Sequence, residues 1–203
     1  MTLRDGRTFG HVSGVAVGAT FPTRDELFKA GVHVVIRRGI HGDQELGAFS
    51  ICLSAGYEDN VDNGNTMHVS RLDFLAQRTY IDVTPVSFSI YVGSGEQEDG
   101  NQIRDQSFDH APNKALLTSF ETKRPVRVVR GPNEGSFYSP STGFRYDGLY
   151  VVDEAKEKDG KKGFKMCTFK LSRIEEEGQK EIPTRRKLTP NKLAKMAKKA
   201  RLG

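Results

Sequence analysis

Short apolar runs separated by glycine and proline are the feature that most limits how this chain folds. Residues 48–54 (AFSICLS), 146–152 (YDGLYVV) and 164–171 (FKMCTFKL) are each long enough for one strand and too short for a core helix. With 21 glycines and 8 prolines in 203 residues, turns between such runs are frequent. The pattern predicts one strand-rich domain of ordinary size, with tails.

Local signals place the other elements. Thr23 and Glu26 have the spacing of a capping box, which predicts a short helix over 24–30 that ends at Gly31. Residues 125–130 (PVRVVR) alternate apolar and basic side chains, as in a half-exposed strand with one basic face. The remaining predicted elements are a helix over 112–120, a small helix over 67–76, strands over 33–38, 79–83 and 87–92, a turn between residues 39 and 42, and a loop over 56–65.

The positive charge of the chain is concentrated at its C-terminal end. Residues 183–203 hold eight basic side chains and no acidic one, whereas residues 1–182 carry 23 basic and 26 acidic side chains, a net charge of −3. Such a tail suits a polyanion or a nuclear import receptor, and its spacing predicts a basic amphipathic helix. The tail residues expected to contact such a polyanion are Arg185, Arg186, Lys187, Lys192, Lys195 and Lys199.

No arrangement of reactive side chains indicates catalysis. The five histidines have no partners at zinc-ligand spacing, and no P-loop, nucleophile elbow or dinucleotide fingerprint occurs. Cys52 and Cys167 lie in apolar runs, which predicts reduced core thiols. We therefore expect no enzymatic activity, no metal and no cofactor. No secretory signal and no apolar run near the roughly 18 residues of a membrane span are present, so we expect an intracellular protein without membrane contact.

Six ordered blocks carry a resemblance to a known family. They are FGHVSGVAVGATF (9–21), GVHVVIRRGIHG (31–42), AFSICLSAGYEDNVDNGN (48–65), YVGSG (91–95), RPVRVVRG (124–131) and RYDGLYVV (145–152). In this order they resemble the SRA domain family, also called YDG after the motif Tyr146-Asp147-Gly148. The resemblance implies an α+β fold, a PUA-like, crescent-shaped and partly open β-barrel with short flanking helices. It assigns residues 1–174 to the domain, with an insertion at about 66–89, and 175–203 to the tail.

The same resemblance implies a pocket for a base flipped out of duplex DNA. Tyr57 and Tyr91 match the aromatic side chains that sandwich the base. Backbone groups match those that contact its edge, at Ser54, Ala55 and Gly56. Two positions depart from the family pattern. Asn60 stands where Asp usually accepts from the cytosine amino group, and an amide can also pair with thymine or uracil. Val92 replaces a common Thr and removes a hydroxyl.

The residues expected to contact the DNA grooves also differ from the family. Arg37 and Arg38 occupy a loop that is usually small or apolar, and two arginines suit the narrow minor groove or the phosphates. The stretch that fills the vacated space in the methyl-CpG readers is here Gly100 to Arg104, one residue shorter. The residues expected at the groove or backbone are Arg37, Arg38, Asn101, Gln102, Arg104 and Arg127.

The sequence leaves three hypotheses about function. In the first, the chain is a nuclear double-stranded-DNA-binding module that reads 5-methylcytosine by base flipping, alongside separate chromatin-modifying proteins. In the second, it binds duplex DNA with little or no preference for cytosine modification, through the crescent surface, the arginine pair and the tail. In the third, it is a protein-interaction scaffold that does not bind DNA.

Overall fold

The computed structural model describes residues 5–54, 61–62, 88–92, 97–98, 101–134, 136–160, 163–177 and 181–184. These ranges contain two helices, α1 (Arg24–Lys29) and α2 (Ala111–Thr122). Their strands are β1 (Thr20–Phe21), β2 (Ile40–Asp43), β3 (Gly47–Leu53), β4 (Val61–Asp62), β5 (Phe88–Val92), β6 (Gln97–Glu98), β7 (Asn101–Gln102), β8 (Val126–Arg130), β9 (Phe144–Asp159) and β10 (Lys165–Arg173). The predicted helix over 67–76, the strand over 79–83 and the tail helix lie outside the described residues.

Eight of the described strands form one mixed sheet. Its order is β2-β3-β8-β9-β10-β5-β4, with β1 paired to the start of β9. β3 and β8 run parallel, and the other described pairs are antiparallel. The sheet is open rather than closed into a barrel, with β2 and β4 at the edges of its described part. The α+β class and the short helices expected from the sequence are confirmed.

Both predicted helices in the described ranges are present. The Thr23 side chain accepts a hydrogen bond from the backbone N–H of Glu26 at 3.2 Å, so the predicted N-cap begins α1. α2 begins beside a proline in its first turn and ends at Lys123, which has a left-handed φ of 55°. Neither helix has the length and apolar composition that a membrane span requires.

Two apolar clusters cover opposite faces of the central strands. The larger one, under α2, contains Leu116, Val128 and Tyr150. The smaller one, under α1 and the N-terminal segment, contains Leu27 and Tyr146. The two cysteines divide between the clusters as buried free thiols, and burial raises the pKa of both to about 11. Their prediction as reduced core residues is confirmed.

The prediction of a strand over 33–38 and a turn over 39–42 is wrong. Residues 33–39 form no strand, and β2 begins at Ile40; the turn follows at residues 44–46. Within this stretch, the backbone carbonyls of Ile36 and Arg38 bond to side chains instead of to a neighbouring strand. The Arg24 guanidinium donates to the carbonyls of Ile36 and Arg38, at 3.2 and 3.1 Å, and His33 Nε2 lies 2.9 Å from the Arg38 carbonyl.

The prediction of an exposed basic face on 125–130 is also wrong. β8 forms as expected, but all five of its residues are buried. Alternation of apolar and basic residues usually marks a half-exposed strand. Here the second face is covered by the N-terminal segment and by α1, and the arginines on β8 are satisfied internally.

Candidate nucleic-acid interface

The described residues frame the predicted base pocket without containing all of it. Ala55, Gly56, Tyr57 and Asn60 lie outside them. Ser54 is described and half-buried, one residue after the end of β3. Tyr91 and Val92 lie on β5, where the structure describes the backbone only.

Strand pairing brings the strand that carries Tyr91 next to the residue that follows Asn60. β5 lies between β4 and β10, with Tyr91 opposite Phe169 and Val92 opposite Thr168. On its other side Ile90 pairs with Val61, which directly follows Asn60 in the sequence. The strand that carries Tyr91 is therefore hydrogen-bonded to the strand that follows the predicted base-reading residue.

The segment that carries Tyr57 starts where two parallel strands end together. Leu53 of β3 is aligned with Arg130 of β8, so the carboxyl ends of both strands meet at one edge. The backbone N–H of Gly131 donates to the Leu53 carbonyl at 2.7 Å. A Cβ on Gly131 would lie 2.8 Å from the Phe144 ring and 3.3 Å from the Ser54 Cβ. Close packing around the first residue after β3 therefore requires glycine at 131.

A buried ion network occupies this same edge. Arg130 Nε and Nη2 donate to the two carboxylate oxygens of Asp62, at 3.0 and 2.8 Å. Its Nη1 donates to Asp147 Oδ2 at 2.8 Å and to the Tyr150 hydroxyl at 3.1 Å. Burial disfavours the charge, but Tyr150, Asp62 and Asp147 together raise the pKa of Arg130 above its ordinary value. The guanidinium is thus fixed, charged and fully buried.

The YDG motif supports the network rather than the solvent-facing surface. The Asp147 carboxylate also accepts hydrogen bonds from Nε and Nη2 of Arg145, the latter at 3.0 Å. Tyr146 places its hydroxyl 2.7 Å from His11 Nδ1, and burial raises its pKa, so it stays a protonated phenol. Gly148 has a φ of 99°, which a residue with a Cβ adopts only under strain. The motif therefore couples two buried arginines to one carboxylate.

The structure contradicts the prediction that Arg127 contacts the DNA backbone. Arg127 is fully buried, and its Nε donates to the Val32 carbonyl at 3.1 Å. Its two terminal nitrogens donate to the carbonyls of Gly6, Thr8 and Gly10, at 2.6, 2.6 and 2.9 Å. Burial lowers its pKa to about 10, so it remains charged at neutral pH. Its role is to hold the N-terminal segment against the sheet.

Three of the predicted contact residues present exposed side chains. Arg37 and Arg38 are exposed on the segment that Arg24 and His33 hold in place, and Arg104 is exposed after β7. Asn101 and Gln102 form β7, which pairs with β6; their backbone alone is described. The predicted tail contacts, Arg185, Arg186, Lys187, Lys192, Lys195 and Lys199, lie outside the described residues.

The roles of Asp62, Ser136 and Arg130 were not predicted from the sequence. Ser136 Oγ donates to Asp62 Oδ2 at 2.6 Å, and only folding brings residues 62, 130 and 136 together. A signal was present, because an arginine in a strand of valines needs a carboxylate or carbonyl partner once both faces are buried. Within the described ranges, no group of three or more His, Cys, Asp and Glu side chains could hold a metal ion.

Comparison with known proteins places this arrangement in context. The SAD/SRA domain model matches residues 8–177. The UHRF1-like protein of Cryptococcus neoformans var. grubii is 35% identical over 189 residues, which cover 87% of this chain and 49% of that protein. E3 ubiquitin-protein ligase UHRF1 of Rattus norvegicus is 33% identical over 197 residues, 87% of this chain and 23% of that protein. The chain thus spans about half of the first relative and roughly a quarter of the second.

Two of the solved structures with a similar fold are compared with this chain by sequence identity and TM-score. The SRA domain of SUVH5 bound to fully hydroxymethylated CG DNA has a TM-score of 0.65 and 34% identity, over 87% of this chain and 99% of that chain. A modification-dependent TagI restriction endonuclease has a TM-score of 0.70 and 36% identity, over 84% of this chain and 53% of that chain.

Proposed function

Since this chain belongs to the SAD/SRA domain family, we propose that it binds double-stranded DNA and reads a modified cytosine by flipping it into a pocket between Tyr57 and Tyr91. The observation that carries the proposal is the similarity to an SRA domain bound to fully hydroxymethylated CG DNA. This similarity covers 99% of that domain's chain. The same SUVH5 domain is also described in complexes with hemimethylated CG DNA and with methylated CHH DNA. The modified base is therefore the ligand class to test first.

Base flipping has a stated energetic requirement. A base within the stack shows only its groove edges, so reading its whole Watson–Crick edge requires extrusion. Extrusion costs a few kcal/mol of lost stacking and pairing, which stacking on aromatic rings and filling of the gap must offset. We assign the stacking to Tyr57 and Tyr91. Gln102 and Arg104 are both candidates for filling the gap.

Asn60 is the residue that sets which base is accepted. Its amide oxygen can accept from the cytosine amino group while its N–H donates to ring N3. The reversed amide accepts from N3–H of thymine or uracil and donates to O4. We therefore expect weaker discrimination between cytosine and thymine than an Asp at this position provides.

A second candidate function is duplex binding with little preference for modification. The exposed pair Arg37 and Arg38 favours it, because backbone contacts from arginine do not depend on base modification. Asn60 and the insertion at about 66–89 favour it as well. In this case the basic tail adds further phosphate contacts.

Location and activity follow from the proposed ligand. We place the protein in the nucleus, where modified cytosine in duplex DNA is found, and we assign it no catalytic step. The match to the TagI endonuclease covers 53% of that chain, and this similarity does not by itself assign a nuclease activity to this protein. Chromatin-modifying proteins are the partners that a reader of this kind would serve.

Fluorescence anisotropy on matched duplexes separates the two functions. The duplexes carry unmodified, hemimethylated, fully methylated or hydroxymethylated cytosine at fixed salt. A reader prefers one modified duplex by tenfold or more, about 1.4 kcal/mol. Tyr91→Ala should then abolish the preference, whereas Tyr91→Phe, which keeps the ring, should retain it. Equal affinities for all four duplexes, with a steep dependence on salt, would establish the second function instead.

A further inference from the structure

Both ends of the segment that carries Tyr57 and Asn60 are tied to the carboxyl end of one strand. The residue before the segment, Ser54, follows Leu53, whose carbonyl accepts from the backbone N–H of Gly131 at 2.7 Å. The residue that closes the segment, Asp62, is bound by Arg130 through two hydrogen bonds of 3.0 and 2.8 Å. Arg130 and Gly131 are neighbours in the sequence.

The second tie, the contact between Arg130 and Asp62, is a side-chain clamp rather than a sheet ladder. β4 is two residues long, and among the described residues its pairing with β5 joins Val61 to Ile90 and Asp62 to Ser89. So short a ladder fixes the direction of the strand weakly. A bidentate contact between a guanidinium and a carboxylate fixes orientation as well as position.

Other buried side chains hold both members of the clamp in place. Arg130 is fully buried and also donates to Asp147 and Tyr150. Asp147 is held in turn by Arg145. On the loop side, Asp62 has a side chain only 10% exposed and accepts a further bond from Ser136 at 2.6 Å. The position of Asp62 is therefore determined by the core of the sheet.

We propose that Asp62 is a positioning residue, which through its ion pair with Arg130 fixes β4 directly after the predicted base-reading residue Asn60 and so supports the reading of the flipped base. The inference rests on the proposed function, because it concerns the same pocket. Asp62 touches no base. It acts through Asn60 and Tyr57, which precede it by two and five residues. Groups that read a ligand by hydrogen bonds must be placed to within about 0.5 Å, which a short free loop does not achieve.

The test compares Asp62→Asn with Arg127→Lys, which perturbs another buried guanidinium on the same strand. Asn keeps the shape of Asp62, but it replaces one acceptor and the charge with an N–H group facing another donor. We expect Asp62→Asn to lower the preference for the modified duplex at least tenfold and the affinity for unmodified duplex less than twofold. Arg127→Lys should lower the Tm and leave the preference at the wild-type ratio.

Amide hydrogen exchange of the free proteins supplies a readout that needs no DNA. In Asp62→Asn, exchange should rise at least tenfold in peptides spanning residues 54–62 and stay at the wild-type rate in β3 and β8. Unchanged exchange there would overturn the clamp. Asp62→Glu, which keeps the charge but displaces the loop, should show slow exchange together with a reduced preference.

The outcomes distinguish this inference from the proposed function. A wild-type protein without any preference overturns the proposed function, and the reading role of Asp62 falls with it. A wild-type preference that survives in Asp62→Asn with faster loop exchange overturns the positioning role alone. A preference that falls equally in Asp62→Asn and Arg127→Lys also overturns it, because general destabilisation then explains both.

Discussion

The two buried arginines of β8 lie three residues apart and are satisfied in opposite ways. Arg127, on the face toward α1 and the N-terminal segment, binds four backbone carbonyls and, within the described part of the chain, no carboxylate. Arg130, on the other face, binds the carboxylates of Asp62 and Asp147. Both side chains have no exposed surface.

The difference shows what each arginine is for. The carbonyls of Gly6, Thr8, Gly10 and Val32 belong to segments without regular secondary structure, where buried backbone groups need partners. Arg127 supplies those partners and closes the N-terminal segment over the sheet. Arg130 instead balances buried charge and orients a loop. Bonds to backbone carbonyls thus close the N-terminal segment over the sheet, whereas bonds to carboxylates fix the position of a loop residue.

The largest expected effect comes from replacing each arginine with methionine, which keeps an unbranched apolar stem but removes the charged guanidinium. Arg130→Met leaves Asp62 and Asp147 without their guanidinium partner in a buried site, which should cost about 3–5 kcal/mol of unfolding free energy. Arg127→Met leaves neutral carbonyls without donors, which should cost about 1–3 kcal/mol. Urea denaturation followed by circular dichroism measures both.

The order of the two stability losses tests the contrast between carbonyl and carboxylate partners. If Arg127→Met is as destabilising as Arg130→Met, the contrast between carbonyl and carboxylate partners does not decide the energetics. Arg124→Met is the matched surface control, since Arg124 is only partly buried and donates to a single carbonyl. It should change stability by less than about 0.5 kcal/mol.

Lowering the pH should selectively destabilise the part of the fold around Arg127. His33 and His41 lie there, and burial, with a further contribution from Arg127, lowers their pKa to about 3 and about 4. The unfolded chain binds protons below about pH 6.5 that the folded chain refuses, so stability is complete above that pH and falls as the pH decreases. Between pH 7.5 and 5 the loss should be roughly 2 kcal/mol for His33 alone.

Denaturation midpoints across that pH range, for the wild type and for His33→Gln, check this expectation. His33 Nε2 donates to the Arg38 carbonyl, so Nδ1 accepts from the Ser50 hydroxyl, and a glutamine amide offers the same donor and acceptor without titrating. The variant should lose less stability on acidification than the wild type does. An identical pH dependence in both proteins would show that His33 is not the titrating group.

The smallest expected effect tests the outer side of the clamp. Ser136→Ala removes one donor from Asp62 but leaves the bidentate contact with Arg130. We expect a cost of about 1 kcal/mol and a loss of DNA preference smaller than that of Asp62→Asn. Ser172→Ala is the matched control, because Ser172 donates to Asp153 at an exposed site and should contribute almost nothing. Equal effects of the two changes would place Ser136 outside the clamp.

Much of the secondary structure was predictable because its causes are local. Thr23 and Glu26 define the start of α1 through contacts within one turn. The apolar runs at β3 and β10 are long enough to form strands wherever they pack. The segment 33–38 was predicted wrongly because its carbonyls bond to Arg24 and His33, and nothing in the run itself indicates that choice.

The sequence alone identified the family, and it predicted the aromatic residues of the expected pocket and the unusual Asn60. These depend on which residues occur and in which order. Only the tertiary structure decided that Arg127 is buried, that Arg130 binds Asp62, and that the YDG motif supports this pair. The physical reason is that a buried charge takes whichever partners the fold brings within hydrogen-bond distance. Those partners lie between 17 and 121 residues away along the chain.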